Sequence, residues 1–119
     1  MIYRSQQASL AALEVLAHVS SSTLPPDLKM LTLTIADDAS MEVIESAQLL
    51  DGWRKYPAPI KHAELGTKWV LSQKSLSLKV PSSLIETENN ILINPLHPEM
   101  DKVKITSISN FNFDDRLIK

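Results

Sequence analysis

The sequence predicts an α+β fold in which two helices and five or six short strands form one domain. Two segments, residues 8–19 and 62–73, are rich in helix-forming residues. Several other segments alternate apolar and polar residues, with the period of two that is typical of strands that bury one face. The chain has 119 residues, of which 44% are hydrophobic. This size suits a single domain, residues 1–119, with a core of its own.

The N-terminal half is predicted to contain one helix and three strands. Residues 1–4 are short and apolar, and we interpret them as the end of a strand. Ser5 is a suitable N-cap for the helix over residues 8–19. Residues 29–35 alternate leucine and isoleucine with threonine, which predicts a strand, and residues 41–44 predict a shorter one.

The C-terminal half is predicted to alternate strands with turns after one helix over residues 62–73. Residues 76–80 alternate Leu and Val with Ser and Lys, and Pro81 ends this strand because proline has no N–H to donate. The apolar run at 91–93 predicts the next strand. Residues 103–108 predict another strand.

Composition excludes several classes of function. The net charge is −2, so no broad basic surface is expected to bind nucleic acid. No stretch of about 18 apolar residues predicts a membrane span. The sequence contains no cysteine, which excludes disulfides and thiolate sites and fits a cytoplasmic protein. His62 and His97 lack the spacing of metal ligands, so we expect no metal site.

A few polar residues stand out as candidates for chemistry. Glu14 is the one acidic residue on an otherwise apolar helix, and His18 lies one turn further along the same side. Ser82 follows the end of a strand, where groups that touch ligands are common. Taken alone, each has a simpler interpretation: a solvent-facing carboxylate, a packing histidine and a turn serine. Asn90 and Asn94 are expected to bond backbone groups in turns.

Six different short motifs follow one another along the chain. They are Tyr3 followed by LAALEVLAH, Leu50-x-Gly52-Trp53, Leu65-Gly66-x-x-Trp69, Leu78-x-Val80-Pro81-Ser82, Glu88-x-Asn90 continuing into Ile93-Asn94-Pro95-x-His97-Pro98, and Phe111-x-Phe113-Asp114-x-Arg116-Leu117. The six motifs are spread over nearly the whole chain, and it is their order and spacing together that are specific. Together they resemble the RES-domain family, the toxin components of bacterial RES–Xre toxin–antitoxin systems.

The resemblance implies a fold, an activity and a partner. The fold would be that of ADP-ribosyltransferase toxins, a small mixed β-sheet core flanked by helices. The substrate would be NAD⁺, consumed by hydrolysis, by phosphorolysis or by ADP-ribosyl transfer to a protein, without a metal. Glu14 and Ser82 would be catalytic, and Tyr3, Ser82 and His18 would bind substrate. An Xre-type antitoxin, itself a DNA-binding protein, would cover the active cleft, and a homodimer is compatible with the resemblance.

One family feature does not occur in these 119 residues. The family's arginine lies in a Gly-Gly-Arg-Trp-Asn segment ahead of the tyrosine, and this sequence has no such segment. Arg4 follows the tyrosine, so we do not expect it to substitute. We therefore expect an N-terminally short RES domain, through a late start, trimming or gene decay. Two alternatives remain open: an inactive RES remnant that acts only as a binding module, and an unrelated binding domain.

Overall fold

The structure, a computed structural model, describes residues 2–18, 24–49, 51–54 and 60–117, and the side chains of Tyr3 and His62 lie outside the described part. The predicted α+β class is confirmed by two helices and six strands in this part of the chain. The elements are β1 Ile2–Ser5, α1 Ala8–His18, β2 Lys29–Ile35, β3 Met41–Val43, α2 Ile60–Ser72, β4 Ser77–Pro81, β5 Asn89–Ile93 and β6 Val103–Asn110, with short 3₁₀ helices at Ser46–Gln48, Pro98–Lys102 and Asp115–Leu117.

Four strands form a mixed sheet in the order β1-β5-β4-β3. β5 pairs antiparallel with both β1 and β4, and β3 lies parallel to β4. The register places Leu78 opposite Leu92 and Pro81 opposite Asn89. Pro81 is thus the last paired residue of β4, as its missing N–H predicts.

Both faces of this sheet are covered near its centre. On one face, Trp69 of α2 packs with Leu78 and Leu92. On the other face lies a second buried cluster: Leu76, Ile91 and Ile93, against Leu33, Ile35, Ala39, Met100 and Val103. The sequence pattern predicts a half-buried β4, yet Ser77 is as fully buried as its apolar neighbours. The difference arises because β4 is a central strand with packing on both sides.

The remaining strands, β2 and β6, form a separate antiparallel ribbon. Its register shifts between Thr32 and Leu33, a bulge that increases local twist. Leu33 packs against the core, whereas Leu31 is 39% exposed. The twisted ribbon therefore covers the sheet with one end and leaves its other end to form the wall of a cavity.

No helix in the described residues is long and apolar enough to cross a bilayer.

Candidate active site

A cavity of about 650 Å³ lies between helix α1 and the end of the β2–β6 ribbon. Its polar lining consists of Arg4, Ser5, Glu14, His18 and Lys29. Its apolar lining consists of Ala11, Ala12, Val15, Leu28, Met30, Leu31, Phe111 and Phe113. Cavities of 300–1,000 Å³ with mostly apolar walls and a few polar groups are the usual shape of small-molecule sites.

Glu14 is held in the wall of this cavity by two side chains, one from β5 and one from the turn after β4. The Oγ of Ser82 donates to Glu14 Oε1 over 3.0 Å, and Nδ2 of Asn90 donates to the same oxygen over 2.8 Å. Glu14 Oε2 accepts no hydrogen bond from the residues that the structure describes. The helix therefore brings a carboxylate to the cavity with one oxygen fixed.

Ser82 reaches Glu14 because it lies directly after the last residue of β4. Its side chain is fully buried. The Oγ also accepts hydrogen bonds from the backbone N–H groups of Leu84 and Ile85, over 3.1 and 3.2 Å. Ser82 thus shapes the turn after the strand and contacts Glu14 in the same position.

Asn90 is a site residue that sequence reasoning did not identify. We expected it to bond turn backbone, and that expectation is wrong: it lies within β5, fully buried, and contacts the side chains of Glu14 and Ser5. The sequence did contain a signal for this role, because Asn90 stands directly before the apolar run of a strand. A polar side chain that is buried in such a strand needs a hydrogen-bond partner. Asn94 does bond backbone as predicted, donating to the carbonyl of Val70 and accepting from the N–H of Leu96.

Two further residues, His18 and Tyr3, are predicted to bind substrate. His18 lines the cavity together with Glu14, and its Nδ1 lies 2.6 Å from the backbone oxygen of Glu14. Tyr3 lies in β1 opposite Leu92, next to the cavity-lining Arg4.

Positive charge and aromatic rings complete the cavity. Arg4 and Lys29 both line it, and Arg4 does so although it is not expected to substitute for the family's arginine. Lys29 Nζ donates to the side chain of Asn110 on the paired strand. Phe111 and Phe113 pack edge to face with their centroids 4.9 Å apart. The cavity therefore combines a carboxylate, two cations and an aromatic pair, a set that suits a phosphorylated ligand with a flat ring.

No group of three or more histidine, aspartate or glutamate side chains in the described ranges could hold a metal ion.

Comparison with known proteins agrees with this architecture. The family model of the RES domain matches residues 1–114. Toxin Res of Yersinia enterocolitica is 36% identical over 118 residues, which cover 98% of this chain and 76% of that toxin. The Prs ADP-ribosylating toxin of a Sphingobium species is 32% identical over 121 residues, covering all of this chain and 75% of that protein. Toxin Res of Photorhabdus laumondii is 29% identical, covering 99% of this chain and 76% of that protein. This chain belongs to the RES-domain family.

Proposed function

We propose that this protein is a toxin that consumes NAD⁺ in the cavity between α1 and the β2–β6 ribbon. The observation that carries the proposal is the Glu14 carboxylate, fixed by two buried donors in the wall of a cavity large enough for a dinucleotide. The names of similar proteins support the class, since two are toxins called Res and one is an ADP-ribosylating toxin.

The chemistry follows from the bond that must break. When the bond between the nicotinamide nitrogen and ribose C1′ breaks, nicotinamide leaves with the electron pair and C1′ becomes positively charged. The Glu14 carboxylate would stabilise this charge, since it is already oriented and needs no rearrangement. An acceptor then forms the new bond to C1′ with one of its own electron pairs: water or a protein side chain releases its proton to the solvent, whereas phosphate attacks through an oxygen that is already negatively charged.

The rest of the lining suits the other parts of NAD⁺. Arg4 and Lys29 would hold the two phosphates, because both cations line the cavity and cations attract a pyrophosphate. The aromatic pair of Phe111 and Phe113 offers a face or edge for a planar base. His18, one turn from Glu14, would contact the ribose or nicotinamide.

We also propose the partner that the family resemblance implies, an Xre-type antitoxin that closes the cavity in the cytoplasm. If the protein consumes the NAD⁺ of its own cell, a partner that covers the cavity would protect that cell. Co-expression of a helix-turn-helix antitoxin of the Xre type should restore cellular NAD⁺ levels, and levels that stay low would contradict this pairing.

The activity is tested by measuring nicotinamide release from NAD⁺ by the purified protein. Glu14→Gln keeps the shape of the side chain and removes its charge, so release should fall by about 100-fold or more, the usual cost of losing one transition-state stabiliser. Glu64→Gln, an exposed position on α2, is the matched control and should leave the rate unchanged. The proposal fails if the wild-type protein releases no nicotinamide, or if Glu14→Gln releases it at the wild-type rate.

The acceptor is identified in the same assay by mass spectrometry of the product. Free ADP-ribose indicates water, ADP-ribose carrying a further phosphate indicates phosphorolysis, and a protein adduct indicates transfer.

A further inference from the structure

We propose that Ser82 and Asn90 are positioning residues, which hold Oε1 of Glu14 so that Oε2 alone acts on the substrate. Ser82, although one of the residues expected to bind substrate, would not touch it. This inference rests on the proposed function, because it assigns roles within the same site. The evidence is the number of hydrogen bonds that the Ser82 hydroxyl and the Asn90 amide can make, compared with the number that they do make.

The hydroxyl of Ser82 has no capacity left for a ligand. A serine hydroxyl has one proton to donate and two lone pairs to accept with. Both lone pairs are used by the N–H groups of Leu84 and Ile85, and the proton is used by Glu14 Oε1. A ribose hydroxyl could bond Ser82 only by displacing one of these partners, inside a position that is fully buried.

The donors and acceptors around Asn90 likewise determine how its side-chain amide is oriented. A carboxylate only accepts hydrogen bonds, so the amide nitrogen must face Glu14. The amide oxygen then faces Ser5, whose Oγ donates to it over 2.5 Å. Ser5 lies directly opposite Asn90 in the β1–β5 register. The strand pairing therefore fixes which end of the amide reaches the carboxylate.

Two donors on one carboxylate oxygen restrict the rotation of Glu14. A free glutamate side chain has many rotamers, and fixing one of them costs conformational entropy. Here that cost is met on folding, since the donors come from β5 and from the turn after β4. A carboxylate oriented before the substrate arrives is what electrostatic stabilisation of a transition state requires.

The turn that carries Ser82 is itself held from outside. Nε of Arg54 donates to the carbonyl of Ser83, and a second guanidinium nitrogen donates to the carbonyl of Leu84, each over 2.9 Å. Arg54 also lies 3.6 Å from the carboxylate of Glu86. These contacts keep the Leu84 N–H at Ser82 Oγ.

The test separates positioning from substrate contact through kcat and KM for nicotinamide release. Ser82→Ala and Asn90→Asp should each lower kcat by about 10- to 100-fold, since misplacing a reacting group costs that much. KM for NAD⁺ should stay within about twofold, because no ground-state contact is lost. Ser5→Ala, at a half-buried position, should lower kcat less, and Ser5→Thr, which keeps the hydroxyl, should restore it. Asn94→Asp, a buried asparagine remote from Glu14, is the control.

A second measurement does not depend on any activity. In protein labelled with ¹³C-glutamate, the Glu14 carboxyl resonance, assigned by its loss in Glu14→Gln, should shift or broaden in Ser82→Ala and in Asn90→Asp. Wild-type protein that releases no nicotinamide would overturn the proposed function. The Glu14 resonance would then still test whether Ser82 and Asn90 position the carboxylate. Positioning itself is overturned by a resonance that does not change, by wild-type kcat in both variants, or by a Ser82→Ala variant that raises KM alone.

Discussion

At the scale of single residues, Glu99 shows how one carboxylate joins distant parts of the chain. Glu99 Oε1 accepts hydrogen bonds from the hydroxyl and backbone N–H of Ser40, and Oε2 accepts from Lys102 over 2.9 Å. Ser40 Oγ in turn accepts from the N–H of Leu76, at the edge of the core. The Ser40 hydroxyl, followed by Lys102, lowers the pKa of Glu99 from 4.5 to about 2.

This shift predicts how stability depends on pH. Because the folded-state pKa of Glu99 lies below its unfolded value, its contribution is complete above pH 4.5 and is lost as the pH falls from 4.5 towards about 2. Glu99→Gln should therefore lower stability at pH 7 and flatten its decline in that acid range. Urea unfolding at a series of pH values measures this effect. Glu64→Gln is the control, and parallel pH curves for wild type and Glu99→Gln would contradict the prediction.

Residue types singled out Glu14 and Ser82 as candidates, and only the family resemblance favoured a functional role for them over a solvent-facing carboxylate and a turn serine. Glu14 stood out because it is the one acid on an apolar helix, and Ser82 because it follows the end of a strand. Asn90 could not be assigned, since its partners Ser5 and Glu14 lie 85 and 76 positions away in the sequence. Side-chain pairing over such separations is decided by the packing of elements, which a local pattern does not contain.

At the scale of elements, helix α2 is attached to the sheet through Trp69. The indole packs with Leu78 and Leu92, and its Nε1 donates to the hydroxyl of Ser75 over 2.8 Å. Ser75 is buried, and its Oγ lies 2.9 Å from the carbonyl oxygen of Ser77 at the start of β4. The helix therefore contributes both apolar contact and a polar anchor to the central strand.

Two substitutions separate these contributions. Trp69→Ala should lower the free energy of unfolding by about 3–5 kcal/mol, the range for removing a large buried aromatic side chain. Trp69→Phe keeps most of the packing and loses the hydrogen bond, so a loss of about 1–2 kcal/mol is expected. Leu71→Ala, at a side chain that is 78% exposed on the same helix, should change stability by less than about 0.5 kcal/mol. A Trp69→Ala variant as stable as Leu71→Ala would refute this role for the indole.

The elements themselves were largely predictable, and their burial was not. Alternation identified β2, because Leu33 and Ile35 do pack against the core. The same alternation could not predict the register shift beside Leu33, which depends on where β6 supplies an extra residue. Nor could it predict that Ser77 would be buried, because covering both faces of β4 requires α2 and the ribbon to pack from opposite sides.

At the scale of the whole molecule, the site exists only where separate parts of the fold meet. Glu14 comes from α1, its two hydrogen-bond donors come from β5 and from the turn after β4, and the far wall comes from the ribbon and the residues after it. The sheet thus supplies rigid support, while the ribbon supplies Lys29 and the segment after β6 supplies the aromatic pair. A ligand in this cavity would touch all three parts.

We propose that this cavity holds NAD⁺ with its nicotinamide ribose at Glu14. The most direct measurement is a crystal structure of the protein with an NAD⁺ analogue whose glycosidic bond cannot be cleaved. We predict that the nicotinamide ribose lies within hydrogen-bonding distance of Glu14 Oε2 and that the phosphates lie beside Arg4 and Lys29. An analogue bound elsewhere, or bound with its ribose remote from Glu14, would rule out this binding mode and the role proposed for Glu14.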